Sequence, residues 1–233
     1  MPQNRKVVND MASSKIEDYL KAIYKLEEKE GVAKTTLLAK KLGIQAGTVS
    51  EMIKRLSKKN PPLITYKRHH GVRLTAKGKK AALWVIRKHR LLETFLYRTL
   101  GLSWDEVHEE AEILENHLSE RVTDSIDRHL GFPKYDPHGE PIPSKEGKIV
   151  TQNQLNLTEI LEGHSFKILS VNPTSSDLLT YLKDLKIGIH STGKVISKSP
   201  LDGLITIQIN QKDIISEHTL GHSITDKIFV EKL

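Results

Sequence analysis

The chain has 233 residues, of which 37% are hydrophobic, with 36 basic and 29 acidic side chains and a formal net charge of +7. That composition supports a folded core; no apolar run approaches eighteen residues and the start, MPQNRKVVND, lacks a secretory leader, so neither a membrane span nor export is expected. Cysteine is absent, which excludes disulfides, thiolate metal sites and thiol catalysis, leaves any metal to oxygen and imidazole donors, and makes a cytoplasmic location the expectation.

Residues 1–100 hold 23 of the basic side chains and 8 of the acidic ones, so the remainder is net acidic. A basic front half suits a polyanion, and the acidic half a different task. In chain order, helical spacing first predicts a helix over residues 13–30. Ile16, Leu20, Ile23, Tyr24 and Leu26 share a face, Ser13 or Ser14 is the cap and Gly31 the stop. A short helix follows over 35–42. A third, over 48–59, buries Val49, Ile53 and Leu56 and ends at Asn60-Pro61-Pro62. Two β runs, 63–66 and 71–74, flank the basic tip Lys67-Arg68-His69-His70. Three short helices and then a basic hairpin are the order of a winged helix-turn-helix.

A long helix is predicted over 75–99, with Ala82, Val85, Ile86, Leu92, Phe95 and Leu96 as its apolar stripe. Ser103 caps another that runs to about Leu118, and a third spans 119–130 before Gly131. The Pro- and Gly-rich stretch 132–143 is a fixed loop or a boundary, and 144–152 reads as a polar linker. Beyond it, β-rich runs at 165–171, 193–196, 204–209 and 227–231, with one helical insert over 175–185, predict a small β-barrel. The expected fold class is mainly α with β.

The third helix opens with small and hydroxyl-bearing residues, which let a backbone approach base edges in a major groove. Gln45, Gly47, Thr48, Ser50 and Glu51 are therefore candidates for base or phosphate contact, and Lys54, Lys58 and Lys59 lie beside the phosphates. Lys67, Arg68, His69 and Arg73 of the hairpin can track phosphate oxygens. The bland alternative has Thr48 and Ser50 merely capping the helix. On the long helix His89 and Glu93 stand at i and i+4; on the next, His108, Glu112 and Glu115 stand at i, i+4 and i+7; Asp18 sits on the first. Carboxylates and imidazoles facing inward from neighbouring helices suit a divalent metal, which relieves the desolvation of buried acids. By spacing alone the same pairs also read as solvated helix faces.

The motifs Asp18-Tyr19-Leu20-x-x-Ile23-Tyr24-x-Leu26, Gly47-Thr48-Val49-Ser50 and Leu74-Thr75-x-x-Gly78 are followed by two more. These are Arg87-Lys88-His89-Arg90-Leu91-x-Glu93 and Val107-His108-x-Glu110-Ala111-Glu112-x-x-Glu115. Together they resemble the diphtheria toxin repressor family of metal-dependent transcriptional regulators, over almost the whole chain after residue 13. The tail resembles the small FeoA-type barrel of its longer members. The resemblance implies a homodimer that binds an inverted-repeat operator in double-stranded DNA when Mn²⁺ or Fe²⁺ is bound, and represses metal-uptake genes. It implies one metal site at Asp18, Glu112 and Glu115 and a second at His89, Glu93 and His108. It also divides the chain into a winged-helix domain (1–75), a helical metal-binding and dimerisation domain (76–143), a linker (144–152) and the barrel (153–233).

Iron-responsive members place Met and Cys where this chain has Asp18 and Glu112; harder oxygen donors point to the manganese-responsive branch. The family's Glu-His is here Glu115-Asn116. Asn116 offers a carbonyl oxygen, while His117 would lie about 100° further round a continuous helix. Asp136 and His138 of the loop and Asp177 of the barrel are further ligand candidates, each equally readable as a structural residue. An enzyme is not expected, since His-Glu-x-x-His, a nucleophile elbow and paired Glu-x-x-His are all missing. No small organic ligand and no membrane partner are expected. The readings left beside a manganese-responsive repressor are an iron-responsive one, a metal-dependent enzyme, and a winged-helix regulator of an organic ligand.

Overall fold

No Gly or Pro interrupts residues 3–30, so nothing stops a helix once its apolar face has nucleated it. The computed structural model, which describes residues 3–150, 152–172, 176–211 and 214–233 with side chains from Lys15 onward, shows α1 at Gln3–Glu30. The helix therefore starts well before residue 13. Ser13 and Ser14 stand inside it instead of at its N-terminus, and their side chains lie outside the described set. Thr151 of the expected linker and Ser175 at the expected start of the barrel's helix also lie outside the described residues.

The chain forms two compact units. One runs up to His89 and takes in Glu115–Leu118 and Pro143–Lys148; the other comprises Arg90–Leu114, Ser119–Ile142 and the chain from Ile149 onward.

In the first unit, α2 (Thr35–Leu42) buries Leu38 and stops at Gly43, whose left-handed backbone turns the chain toward α3 (Ala46–Ser57). Three residues, Gly43-Ile44-Gln45, join the pair, the spacing of a helix-turn-helix. The cap position of α3 belongs to Gln45. Thr48 and Ser50 sit in the first turns, and the Ser50 hydroxyl donates back to the Ala46 carbonyl at 2.9 Å. Val49, Ile53 and Leu56 are buried. The strands β1 (Ile64–Lys67) and β2 (Gly71–Leu74) pair antiparallel from Ile64 with Leu74 to Lys67 with Gly71. Ala33 adds a bridge to Val72, and Leu74 N–H donates to the Glu27 carboxylate at 3.1 Å, so the wing is anchored to the end of α1.

The wing then runs into α4 (Ala76–Arg98). Thr75 organises this junction: its hydroxyl donates to the Pro62 carbonyl at 2.8 Å and accepts from Gly78 N–H at 3.1 Å. A Cβ on Gly78 would come 1.9 Å from the Leu63 carbonyl oxygen. That close approach is the physical content of the Leu74-Thr75-x-x-Gly78 motif. The expected polar linker is not featureless. Ser144 and Lys148 close a turn (N–H to carbonyl, 2.8 Å), and the buried Arg87 guanidinium donates to the Pro143 carbonyl at 2.7 Å.

In the second unit, Ser103 starts a turn through bonds to Glu106, and α5 spans only Val107–Glu115, beginning later and ending earlier than the expected helix. Asn116 and His117 lie in the turn after it, so a helical angle between them does not apply. Ser119 caps α6 (Glu120–His129). The C-terminal part is one antiparallel sheet, ordered β3-β8-β4-β5-β6-β7. Its strands are β3 (Leu155–Asn156), β4 (Ser165–Val171), β5 (Thr192–Lys198), β6 (Ile205–Gln211), β7 (Ile214–Leu220) and β8 (Ile228–Lys232). Two of these, β3 and β7, are absent from the expected set, and they form the two ends of the hydrogen-bonded order. Phe166, Ile168, Val195, Ile207, Ile209 and Val230 fill its core with Leu178, Leu179 and Leu182 of α7 (Ser176–Asp184). A short helix, α8 (His222–Thr225), precedes β8. Asp105 ties the turn before α5 to α7 through Lys183 (2.9 Å) and Thr180 (3.1 Å). No helix among the described residues is long and apolar enough to cross a membrane.

Replacing Gly78 by Ala should destabilise the protein by about 2 kcal/mol or more, because backbone must move to admit one methyl. A lower midpoint in urea unfolding, with unchanged slope, is the expected result.

Candidate metal centre and nucleic-acid interface

All the basic and hydroxyl-bearing candidates of the reading head are exposed: Gln45, Gly47, Thr48, Ser50, Glu51 and Lys54 on α3, and Lys67, Arg68 and Arg73 on the wing. Lys58, Lys59 and His69 are exposed as well. None of them is consumed in the core, because Val49, Ile53 and Leu56 hold the opposite face of α3. The structure thus presents one helix face and one hairpin rich in cations, the arrangement that a groove and its flanking phosphates require.

The expected ligands fall into two clusters. Within the first unit, Glu115 is buried at the end of α5 and both its oxygens are engaged. Lys21 Nζ donates to Oε1 at 2.6 Å, and His89 Nδ1 lies 2.7 Å from Oε2. Burial pushes this carboxyl up, but His89 and Lys21 outweigh it and hold the group below the usual carboxylate range. A carboxylate accepts, so His89 donates from Nδ1. Asn116, the next residue, has a buried Oδ1 without a hydrogen-bond partner. Asp18 is half-buried on α1, one residue from Glu17, whose carboxylate receives Lys88 Nζ at 2.7 Å.

Within the second unit, Glu93, Asp136 and His138 bring their ligand atoms within 4.8 Å of one another, and all three are buried. Glu93 Oε1 is 2.8 Å from His108 Nδ1 and 3.8 Å from His138 Nδ1. His138 Nε2 is 2.7 Å from the Trp104 carbonyl oxygen, so that nitrogen carries the proton and Nδ1 the lone pair. Nδ1 has no hydrogen-bond partner, and neither has Asp136 Oδ2. Burial pulls the His138 pKa below the usual imidazole value. Burial, then repulsion from Glu93 and Glu140, pushes the Asp136 carboxyl well above its usual range, against the pull of Arg90. Leaving a buried polar group unsatisfied costs about 1–3 kcal/mol, and two converging lone pairs beside a second acid are donors of the kind that suit a divalent cation.

The loop that carries this cluster is braced from three sides. Asp136 Oδ1 accepts the His138 and Glu140 amides, both at 2.9 Å. Arg90 forks onto Glu140 and the Pro141 carbonyl, with its Nε 3.7 Å from Asp136 Oδ2. The His138 carbonyl accepts Val171 N–H of β4 at 2.9 Å. Gly139 (φ 81°) has room for no side chain, since a Cβ would lie 1.9 Å from the Leu169 carbonyl oxygen.

Glu112, by contrast, is exposed, 3.7 Å from His108 Nε2, and Asp177 is exposed in the first turn of α7. Sequence reasoning passed over Lys21, Arg90 and the Trp104 carbonyl. Arg90 lies inside a quoted motif and so was visible; a backbone carbonyl leaves no trace in a sequence.

A winged helix with a cationic reading face, chained to helices that converge carboxylates and imidazoles and to a small antiparallel sheet, defines a winged-helix protein with an internal ligand-rich domain. The chain belongs to the iron dependent repressor family. Residues 11–72 match its N-terminal DNA binding domain, 75–144 its metal binding and dimerisation domain, and 155–232 the FeoA domain. It is 32% identical over 229 residues to the iron-dependent repressor IdeR of Mycobacterium tuberculosis, covering 93% of this chain and 96% of that one. It is 32% identical over 145 residues to the transcriptional regulator MntR of Bacillus subtilis, covering 62% of this chain and all of MntR. Among solved structures, a manganese-dependent transcriptional repressor in complex with manganese matches with a TM-score of 0.84 and 36% identity, over 94% of this chain and 100% of the other.

Gly139→Ala should shift the Asp136–His138 loop off β4 and weaken Mn²⁺ binding by about 10- to 100-fold, the range for lost support of metal ligands. Calorimetric titration of chelator-stripped protein measures this directly.

Proposed function

We propose that the chain is a metal-dependent, DNA-binding transcriptional repressor tuned to manganese, in which buried oxygen and imidazole donors sense the metal and α3 with the wing reads DNA. The carrying observation is the buried Glu93–Asp136–His138 group with its two unpartnered lone pairs. One site would be built on Glu93, Asp136 and His138 and completed from His108, His89 and Asp177. The other would use Asp18, Glu112, Glu115 and Asn116. A bound dication supplies positive charge and directional coordination to donors that otherwise repel one another.

The chain's own residues do the rest. Trp104 holds the His138 ring so that Nδ1 faces the acids, and Arg90 neutralises part of their charge from outside. Asp18 lies on α1, which packs against α2 and β2, so a bond made at Asp18 is felt by the reading head. Such coupling shifts the DNA-binding equilibrium only by the difference in metal affinity between the two arrangements. The boundaries 1–75, 76–143, 144–152 and 153–233 divide reading head, sensor, linker and sheet domain. A homodimer would set two reading heads on an inverted-repeat operator. All-oxygen and imidazole ligands favour a harder ion such as Mn²⁺; Fe²⁺ is the second reading, and the likeness to IdeR favours it.

The test titrates Mn²⁺, Fe²⁺ and Zn²⁺ against labelled promoter DNA from a metal-uptake operon. Asp18→Ala, Glu112→Ala and Asp136→Asn should each abolish metal-stimulated binding while leaving the circular dichroism of the fold intact. Full stimulation in any of them removes that residue from the ligand set, and DNA affinity indifferent to chelator overturns the function. Arg68→Ala should weaken binding to all duplexes alike and lower the salt slope by about 1; an unchanged slope takes the wing tip off the phosphates.

A further inference from the structure

Both oxygens of the expected ligand Glu115 are engaged, and one of them is engaged by a cation. Lys21 Nζ sits 2.6 Å from Oε1 with the Lys21 side chain 13% exposed and Glu115 1% exposed, so the pair is largely dehydrated. His89 takes the other oxygen at 2.7 Å. A charge-assisted contact of this kind is roughly twice as strong as a neutral hydrogen bond, and a second cation placed on Oε1 would meet the ammonium head-on. Lys21 and Asp18 stand three residues apart on α1 and therefore share a face. One helix face thus carries both the acid that would bind a dication with Glu115 and the base that already holds Glu115.

We propose that Lys21 is a resident competitor for the metal: its ammonium occupies the Glu115 carboxylate, must leave when a dication enters, and so sets the concentration at which the Asp18–Glu115 site fills. This inference rests on the reading of Glu115 as a ligand. The lysine is suited to the role by its length. Its four-carbon stem reaches a buried carboxylate from α1, and the head regains full hydration on swinging out. Metal entry is then an exchange of one cation for another, with α1 tied to Glu115 in both states, through Lys21 in one and through Asp18 in the other.

The experiment compares chelator-stripped full-length wild type with Lys21→Met, Lys21→Gln, Lys21→Arg and Glu115→Gln in calorimetric titration with MnCl₂, and records melting with and without the metal. Both neutral variants should bind Mn²⁺ at this site more tightly, by about tenfold or more, since a charged hydrogen bond no longer opposes entry. Metal-free, Lys21→Met should melt below wild type, and the gap should close on loading. Lys21→Arg, which keeps the charge, should stay near wild type. Unchanged or weaker Mn²⁺ binding in both neutral variants overturns the competitor role and leaves the site standing. An unaltered Mn²⁺ stoichiometry in Glu115→Gln overturns the site itself, and the proposal with it.

Discussion

Two acids buried beside one another, Glu93 and Asp136, form the constraint on which the sensor half of the molecule is built. Carboxylates in a dehydrated space repel, and each would lower its energy by taking a proton, separating or reaching water. The fold forbids the last two. Glu93 is fixed in the C-terminal part of α4, while Asp136 is locked by its own loop amides and by Arg90, itself gripped by Glu140 and Pro141. Gly139 presses the loop onto β4 so closely that not even a methyl fits. The cluster is therefore a concentration of acidic groups held in place by packing, of the kind that a cation would relieve.

The cluster around Glu115 answers the same problem differently. There the buried carboxylate is already balanced by Lys21 and His89, and its pKa is pulled down instead of up. In one cluster Arg90 offsets only part of the acids' charge, and in the other Lys21 stands directly on the carboxylate. Both join segments far apart in sequence, so changes in charge at either are transmitted to the helices that bear them. The reading head needs no such tension: its core of Val49, Ile53, Leu56 and Val72 is apolar, and its cations stand in solvent.

How much of this could be read beforehand depended on range. The helix α2, the strand β2 and the strand β4 matched expectation because each combines a local apolar period with a local stop. The front of α1 did not, since no Gly or Pro lies between residues 3 and 13 and the helix runs on through polar residues. The strand β7 was missed because its run, Ile-Ile-Ser-Glu-His-Thr-Leu, mixes exposed apolar and polar groups and is stabilised by its register with β6. The early end of α5 places Asn116 in a turn that no residue type there demanded.

The donors were legible as a set because carboxylates and imidazoles recur at helical spacing, and His89, Glu93 and His108 were grouped as the structure has them; the convergence of Asp136 and His138 on Glu93 was not legible. Sequence alone determined the basic front, the absence of thiolate chemistry, the helix-turn-helix with its wing, and a pool of oxygen and nitrogen ligands, for these depend on composition and local periodicity. Only the tertiary structure decided that Asp136 and His138 converge on Glu93, and that Lys21 reaches Glu115 across 94 residues of chain. Such pairings are made by packed helices and a braced loop, and electrostatic energy between buried groups depends on distances that no linear pattern contains.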